Sequence, residues 1–262
     1  MEQINQAVRK MTERIAAILD GKVHSIWLYG SVVLDDFRPG WSDIDLLVLA
    51  DGRITEPQAE ELVGLRQAML DAEPGNPYYR AFEGIIADRD EYFAGMFTRL
   101  VYWGTSGQRI TDRYQPDVFT AYELAKYGQC VYGANDRSIF TPPSREEMTA
   151  AVKQHYDSIR RYAVWTDGTL YSCGWLLDIA RCIYTLRYND VTGKTQAGLW
   201  ALEEHLFRDE EPLRRTLEIR QDPLAYREWD DVKQWLSELG PAVQQYADVL
   251  ERELRGNAPC RR

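Results

Sequence analysis

The sequence predicts an α+β chain in which an N-terminal mixed-sheet domain is followed by an all-α helical-bundle domain. Up to residue 135, short runs of β-branched and aromatic residues alternate with helical patterns, whereas from Arg145 onward nearly every segment carries a helical period. Between the two, Phe140-Thr141-Pro142-Pro143-Ser144 breaks both patterns, because adjacent prolines interrupt a helix or a strand. The expected domains are therefore 1–140 and 141–262.

Residues 1–20 form an amphipathic helical pattern, followed by strand-like runs at 24–29 and 43–50, a helix at 56–72, a strand at 80–87 and a helix at 89–98. Structure is mixed from there to 135. In the second half, helices are expected at 145–164, 168–188, 195–207, 210–220 and 226–254. Ser144 with Glu147 three residues on reads as a capping box opening the first of these.

The stretch from His24 to Val48 carries the chemistry. Ile26-Trp27-Leu28-Tyr29 is rich in strand formers and stops at Gly30-Ser31. Glycine there lets a backbone approach a ligand, and the serine hydroxyl with the N–H groups of the next turn can donate to phosphate oxygens. On the following strand alternate side chains share a face, so Asp43 and Asp45 converge while Ile44 and Leu46 turn into the core. Paired acids repel unless a cation lies between them, and hard oxygen donors beside a triphosphate suit Mg²⁺. Metal-assisted transfer to a hydroxyl calls for a third acid. Glu83, the only acid in Arg80-Ala81-Phe82-Glu83-Gly84-Ile85-Ile86, is the candidate, both as general base and as a further metal ligand.

These residues together resemble the nucleotidyltransferase fold shared with DNA polymerase β: Gly-Ser, a gap, Asp-x-Asp, and a later carboxylate on a neighbouring strand. The net charge of −10 argues against a nucleic-acid substrate, which needs a basic track, and favours a neutral or cationic small molecule. No apolar run approaches the ~20 residues of a membrane span, so a cytoplasmic protein is expected, acting as a monomer. Cys130, Cys173, Cys182 and Cys260 lack metal-site spacing and read as reduced thiols, and His24, His155 and His205 read as structural.

In the helical half, Arg181 is the conspicuous charge of an apolar helix. It lies three residues from Asp178, close enough for a local ion pair. Alternatively it acts with Lys194, which opens a helix after Gly193, so that two cations reach a triphosphate from across a cleft.

Here the resemblance narrows to the aminoglycoside 3″/9 (streptomycin and spectinomycin) adenylyltransferases. Leu28-Tyr29-Gly30-Ser31 and Ser42-Asp43-Ile44-Asp45-Leu46-Leu47-Val48 are similar to that family's N-terminal motif, and Phe82-Glu83 to its third-strand Leu-Glu. Ile179-Ala180-Arg181, Tyr184-Thr185-Leu186 and Gly193-Lys194 resemble its Leu-Ala-Arg, Tyr-Thr-Leu and Ser-Lys elements. The resemblance implies that Gly30, Ser31, Ser42, Arg181 and Lys194 bind ATP, that Asp43 and Asp45 hold Mg²⁺, and that Glu83 is the base. It further implies transfer of AMP to a hydroxyl of an aminoglycoside-type antibiotic, giving resistance. The acceptor side departs from the family pattern: Trp165, Asp167 and Tyr171 occupy the region that supplies its acids and tryptophans. Trp103 stands for a stacking surface, and Asp178 joins this acceptor set. A lincosamide, a metabolite, a protein target, or nucleotide binding without catalysis are the alternatives.

Overall fold

The structure, a computed structural model, describes residues 2–104 and 107–256. The chain forms two compact units: one holds the residues up to Leu34 with Ser42–Pro142, the other Asp35–Trp41 with the chain from Pro143 onward.

The first unit contains α1 (Glu2–Leu19), β1 (Val23–Tyr29), β2 (Ile44–Ala50), α2 (Glu56–Ala72), β3 (Phe82–Asp88), α3 (Arg89–Ala94), β4 (Leu100–Gly104), β5 (Gly107–Thr111), α4 (Val118–Lys126) and β6 (Gln129–Gly133). The strands make one sheet in the order β5-β4-β3-β2-β1-β6. Only the β2–β3 pair is parallel; its crossover is α2, the kind of connection a parallel pair requires. In α1 the buried residues Ile4, Ala7, Val8, Met11, Ile15, Ile18 and Leu19 recur at helical spacing and form one apolar stripe. A capping box of Thr55 and Gln58 starts α2. Helix α3 stops short of residue 98, because Gly95 turns left-handed at φ 66° and closes the last turn onto Glu91 O and Tyr92 O, after which the Glu91 carboxylate accepts from Thr98 N at 2.9 Å. On one sheet face Trp27, Tyr29, Leu47, Leu49, Ile85 and Ala87 form a core with Leu124 and Phe140.

The second unit contains α5 (Arg145–Tyr162), α6 (Leu170–Tyr188), α7 (Lys194–Glu203), α8 (Glu211–Gln221), α9 (Pro223–Tyr226), α10 (Asp230–Ser237) and α11 (Gly240–Gly256). The Ser144–Glu147 capping box is present in both halves, with Glu147 N donating to Ser144 Oγ at 3.2 Å and Ser144 N donating to Glu147 Oε2 at 2.8 Å. Helix α6 is buried around most of its circumference and packs against α5, α7, α8 and α11, as the central helix of a bundle must.

Two expectations change. The single helix expected over 226–254 is interrupted: Pro241 has no N–H for a preceding turn, and Gly240 N donates to Thr166 Oγ1 at 3.2 Å instead of continuing a helix. Asp35–Trp41, expected within 1–140, belongs to the second unit. The reason is a buried ion pair, Asp36 Oδ2 to Arg220 Nη2 at 2.7 Å, beside Trp41, whose ring lies 5.1 Å from the Arg220 guanidinium.

Cys173 and Cys182 are buried and Cys130 is half-buried, all as free thiols, while Cys260 lies outside the described residues. No described helix is long and apolar enough to cross a membrane.

Candidate active site

In the first unit the site is built where β1 ends and β2 and β3 begin. Tyr29, the last residue of β1, pairs in register with Asp45, and Asp45 pairs with Glu83 across the parallel β2–β3 ladder. Alternation places Asp45 in line with Leu47 and Leu49, and Glu83 in line with Ile85 and Ala87, so both carboxylates sit at the end of one sheet face. Asp43, two residues before Asp45, precedes the strand, and Ser31 Oγ donates to its carbonyl at 3.2 Å. Ile44 and Leu46 are buried on the opposite face.

Gly30 has φ +68°, and a Cβ there would lie 2.2 Å from Asp45 Oδ2. The turn is thus a cradle whose floor is the carboxylate itself, and a side chain would fill it. Gly84, between Glu83 and Ile85, has φ +139° and leaves room for the Leu46 carbonyl, 1.8 Å from where a Cβ would stand. Without glycine at that position the Asp45–Glu83 register would be lost.

Glu123, Tyr114 and Arg66, none of them singled out in the sequence, complete this end of the sheet together with Tyr29. Glu123 of α4, buried, accepts from Gly30 N at 3.1 Å and so fixes the turn. Tyr29 and Tyr114 border Asp45: burial pushes both phenols up, Tyr114 to about 12, with the Asp45 charge adding to it. They stay neutral at any physiological pH. Arg66 of α2 donates from Nη2 to Arg80 O at 2.9 Å, and its guanidinium lies in the field of Glu83 and Asp43. A lone acid in the apolar segment Tyr122-Glu123-Leu124, and an arginine on the stripe Ala59, Leu62, Met69, were the available signals.

The donor set suits a hard divalent cation. Asp43, Asp45 and Glu83 do not form a closed cage, however: among the described residues no group of three His, Cys, Asp or Glu is arranged to hold a metal. Mg²⁺ commonly binds through one or two carboxylates, with substrate phosphates and water completing its shell, and Asp43 with Asp45 meets that requirement.

In the second unit Lys194 is the first residue of α7 and pairs with Asp178 Oδ1 at 3.0 Å, while Arg181 donates from Nε to Thr192 O at 3.0 Å. Burial would raise the Asp178 pKa, but Lys194 and then Arg181 more than offset this and hold it below the usual carboxylate value. The main partner of Asp178 is thus Lys194 rather than its helical neighbour. The next residue, Thr195, is clamped: its N–H donates to Asp36 Oδ2 at 3.0 Å and its hydroxyl accepts from Arg220 Nε at 3.0 Å. Arg38 and Arg181 both act electrostatically on Arg220. Arg38, Arg181, Lys194 and Arg220 therefore gather about the start of α7 together with Asp36 and Asp178, in a chain of net charge −10.

The residues expected on the acceptor side divide. Trp103 is a correction: it is 2% exposed, lies opposite Gly84 and donates from Nε1 to Leu62 O at 3.0 Å, so it is a core residue and offers no stacking face. Asp167 accepts from Thr169 N at 3.0 Å and Thr169 Oγ1 at 2.5 Å, and these bonds hold its pKa down and order the turn into α6. Trp165 and Tyr171 are exposed, at 89% and 73%.

Residues 8–74 match the family of nucleotidyltransferase domains, and residues 138–246 match the family described as aminoglycoside adenylyltransferase, C-terminal domain. No curated protein matches the sequence. Among solved structures, a spectinomycin adenyltransferase, AAD(9), from Enterococcus faecialis, determined with ATP and spectinomycin, has the same fold with a TM-score of 0.60. The match covers 95% of this chain and 98% of that one at 17% identity. The acid pair on its mixed sheet, the helical second unit and the two family matches make this chain a nucleotidyltransferase enzyme that carries an aminoglycoside adenylyltransferase C-terminal domain.

Proposed function

We propose that the protein transfers AMP from ATP to a hydroxyl of an aminoglycoside-type antibiotic, streptomycin- or spectinomycin-like, in the cytoplasm, and so confers resistance. The observation that carries the reading is the in-register pair Asp45–Glu83, set behind a Gly30 turn in which the carboxylate takes the place of a Cβ. Asp43 and Asp45 would hold Mg²⁺, which when bound neutralises phosphate charge and polarises the phosphoryl oxygens. Glu83 takes the proton of the acceptor hydroxyl, whose oxygen bonds to the α-phosphorus. The bond from the α-phosphorus to the bridging oxygen breaks, and pyrophosphate leaves. The Gly30 turn with Ser31 and Ser42 would seat phosphate oxygens, and the resemblance assigns Arg181 and Lys194 to ATP as well, where their charge would offset that of the leaving group. The neighbouring enzyme was solved with ATP and spectinomycin, which supports the choice of nucleotide and acceptor class. A monomer suffices for this chemistry.

A second reading keeps the reaction and changes the acceptor. Because Trp103 is buried and Asp167 is committed to its own turn, the polar contacts expected for a polycationic drug are reduced, which favours a lincosamide or a sugar-like metabolite. Pyrophosphate release from Mg·ATP across streptomycin, spectinomycin, other aminoglycosides and a lincosamide, with Glu83→Gln as the blank, decides between them. Release with either of the first two drugs supports the first reading. Release with the lincosamide alone supports the second, and turnover by Glu83→Gln at the unaltered rate would remove Glu83 as the base.

A further inference from the structure

We infer that Arg66 is the fixed counter-charge of the acid cluster, a positioning residue that holds Glu83 and Asp43 in place before metal or nucleotide arrives. The inference rests on the acid-pair reading above and adds a residue to it. Arg66 follows Leu62 by one helical turn, and that turn of α2 is fastened to the sheet, because the indole of Trp103, which pairs in register with Gly84, donates to Leu62 O at 3.0 Å. From there the guanidinium reaches the entry to β3, where Nη2 donates to Arg80 O at 2.9 Å, three residues before Glu83. Its Nε and Nη1 are buried and have no hydrogen-bond partner.

Two buried, unpaired donors on a permanent cation are costly. Arginine keeps its charge when desolvated, so the cost persists unless opposite charge lies close by. Burial lowers the Arg66 pKa, while Glu83 and then Asp43 raise it, which identifies the compensating charges. Carboxylates that share one end of a sheet repel one another, and Glu83 and Asp43 are easier to keep ionised and oriented beside a cation that cannot leave. The spare Nε–H and Nη1–H are donors available to a carboxylate as the site tightens around substrate. Their burial shields them from solvent, so a bulky ligand reaches them less readily than a neighbouring side chain does.

A fixed cation also competes with a mobile one. Titration of the full chain with Mn²⁺, without nucleotide, followed by the EPR signal of the free ion, tests this directly. Arg66→Gln is expected to bind Mn²⁺ roughly five- to ten-fold more tightly while its adenylyl transfer falls at least as much. Arg66→Lys keeps the charge, so its Mn²⁺ affinity stays within about twofold of the unaltered protein, whereas kcat drops because an ammonium cannot keep the guanidinium fork. A residue that merely packs α2 against the sheet would leave metal affinity unchanged or weaken it. A folded Arg66→Gln with unchanged or weaker Mn²⁺ binding overturns the inference. Should that variant not fold, an Arg66→Lys protein with altered Mn²⁺ affinity or unchanged kcat does the same. Binding by the unaltered protein that Asp45→Asn abolishes leaves the acid pair standing whatever Arg66 does, and absence of binding by the unaltered protein overturns both.

Discussion

Asp36→Ala removes one partner of a buried ion pair and should be the most destabilising single change in the second unit's polar network. Asp36 and Arg220 are 1% and 2% exposed and meet at 2.7 Å. Arg220 Nη2 also donates to the Asp36 carbonyl at 3.1 Å, and the Asp36 carboxylate accepts the Thr195 N–H at the start of α7. Removing the carboxylate leaves a guanidinium in the interior beside two further cations, Arg38 and Arg181. Stranding one member of a buried pair costs ~3–5 kcal/mol, and losing the acceptor at a helix start ~1 kcal/mol. These overlap, so we expect about 4 kcal/mol, or a fall in Tm of roughly 12 °C at about 3 °C per kcal/mol. Differential scanning calorimetry measures it. Asp36→Asn, which keeps an acceptor for Thr195 but not the charge, should lie between the two proteins. The pH dependence has a definite sign. Burial would raise the Asp36 pKa, yet Arg220 and Thr195 together lower it below 3.8. The stabilisation is therefore complete above the ordinary carboxylate value and is lost as pH falls through the lowered one. The gap between the unaltered protein and Asp36→Asn should accordingly be constant from neutral pH down to about 5 and narrow only below about 4. A Tm within about 3 °C of the unaltered protein for Asp36→Ala, or a gap that closes near neutrality, would refute the reasoning.

Two further outcomes follow from the geometry. Gly30→Ala puts a methyl 2.2 Å from Asp45 Oδ2 and forces a left-handed φ on a residue with a β-carbon; adenylyl transfer should fall by roughly 100-fold while far-UV circular dichroism is unchanged, and a rate within twofold would show that the turn is not the phosphate seat. Asp178→Asn frees Lys194 from its partner, so ATP should bind roughly three- to ten-fold more tightly by calorimetry, whereas Lys194→Ala should weaken it; unchanged ATP affinity in both would mean that Lys194 does not meet phosphate.

Much of the catalytic end of the sheet was legible because period-2 alternation is local. Asp43, Ile44, Asp45 and Leu46 declare their faces within four residues, and a Gly-Ser turn after an apolar run has few structural alternatives. The strand that supplies Glu83 was legible for the same reason. What stayed hidden depends on residues distant in sequence. Strands β4 and β5 and helix α4 were blurred into mixed structure, so the burial of Trp103 against α2 and the grip of Glu123 on Gly30 had no place in a linear reading. The Asp36–Arg220 pair joins positions 184 residues apart, and nothing near either one announces it. Trp103 misled because an aromatic in an apolar strand looks the same whether its face meets ligand or core; only the indole N–H bonded to Leu62 O separates the two.

Charge unites the features the sequence did not display. Buried ions persist when each has a partner, and here the partners are fixed side chains: Arg66 in the field of Glu83 and Asp43, Asp178 against Lys194, Asp36 against Arg220. Binding a metal–nucleotide complex to such groups is an exchange of partners, so only the difference between the resting pair and the liganded pair contributes to affinity. Asp178 and its partner Lys194 are both only half-buried, which makes that exchange cheap; Asp36 and Arg220 are sealed, doubly bonded and stacked on Trp41, which makes theirs expensive. On the proposed reading, the same kind of contact therefore divides by burial into an ion pair open to exchange with substrate and one that holds the start of α7 still.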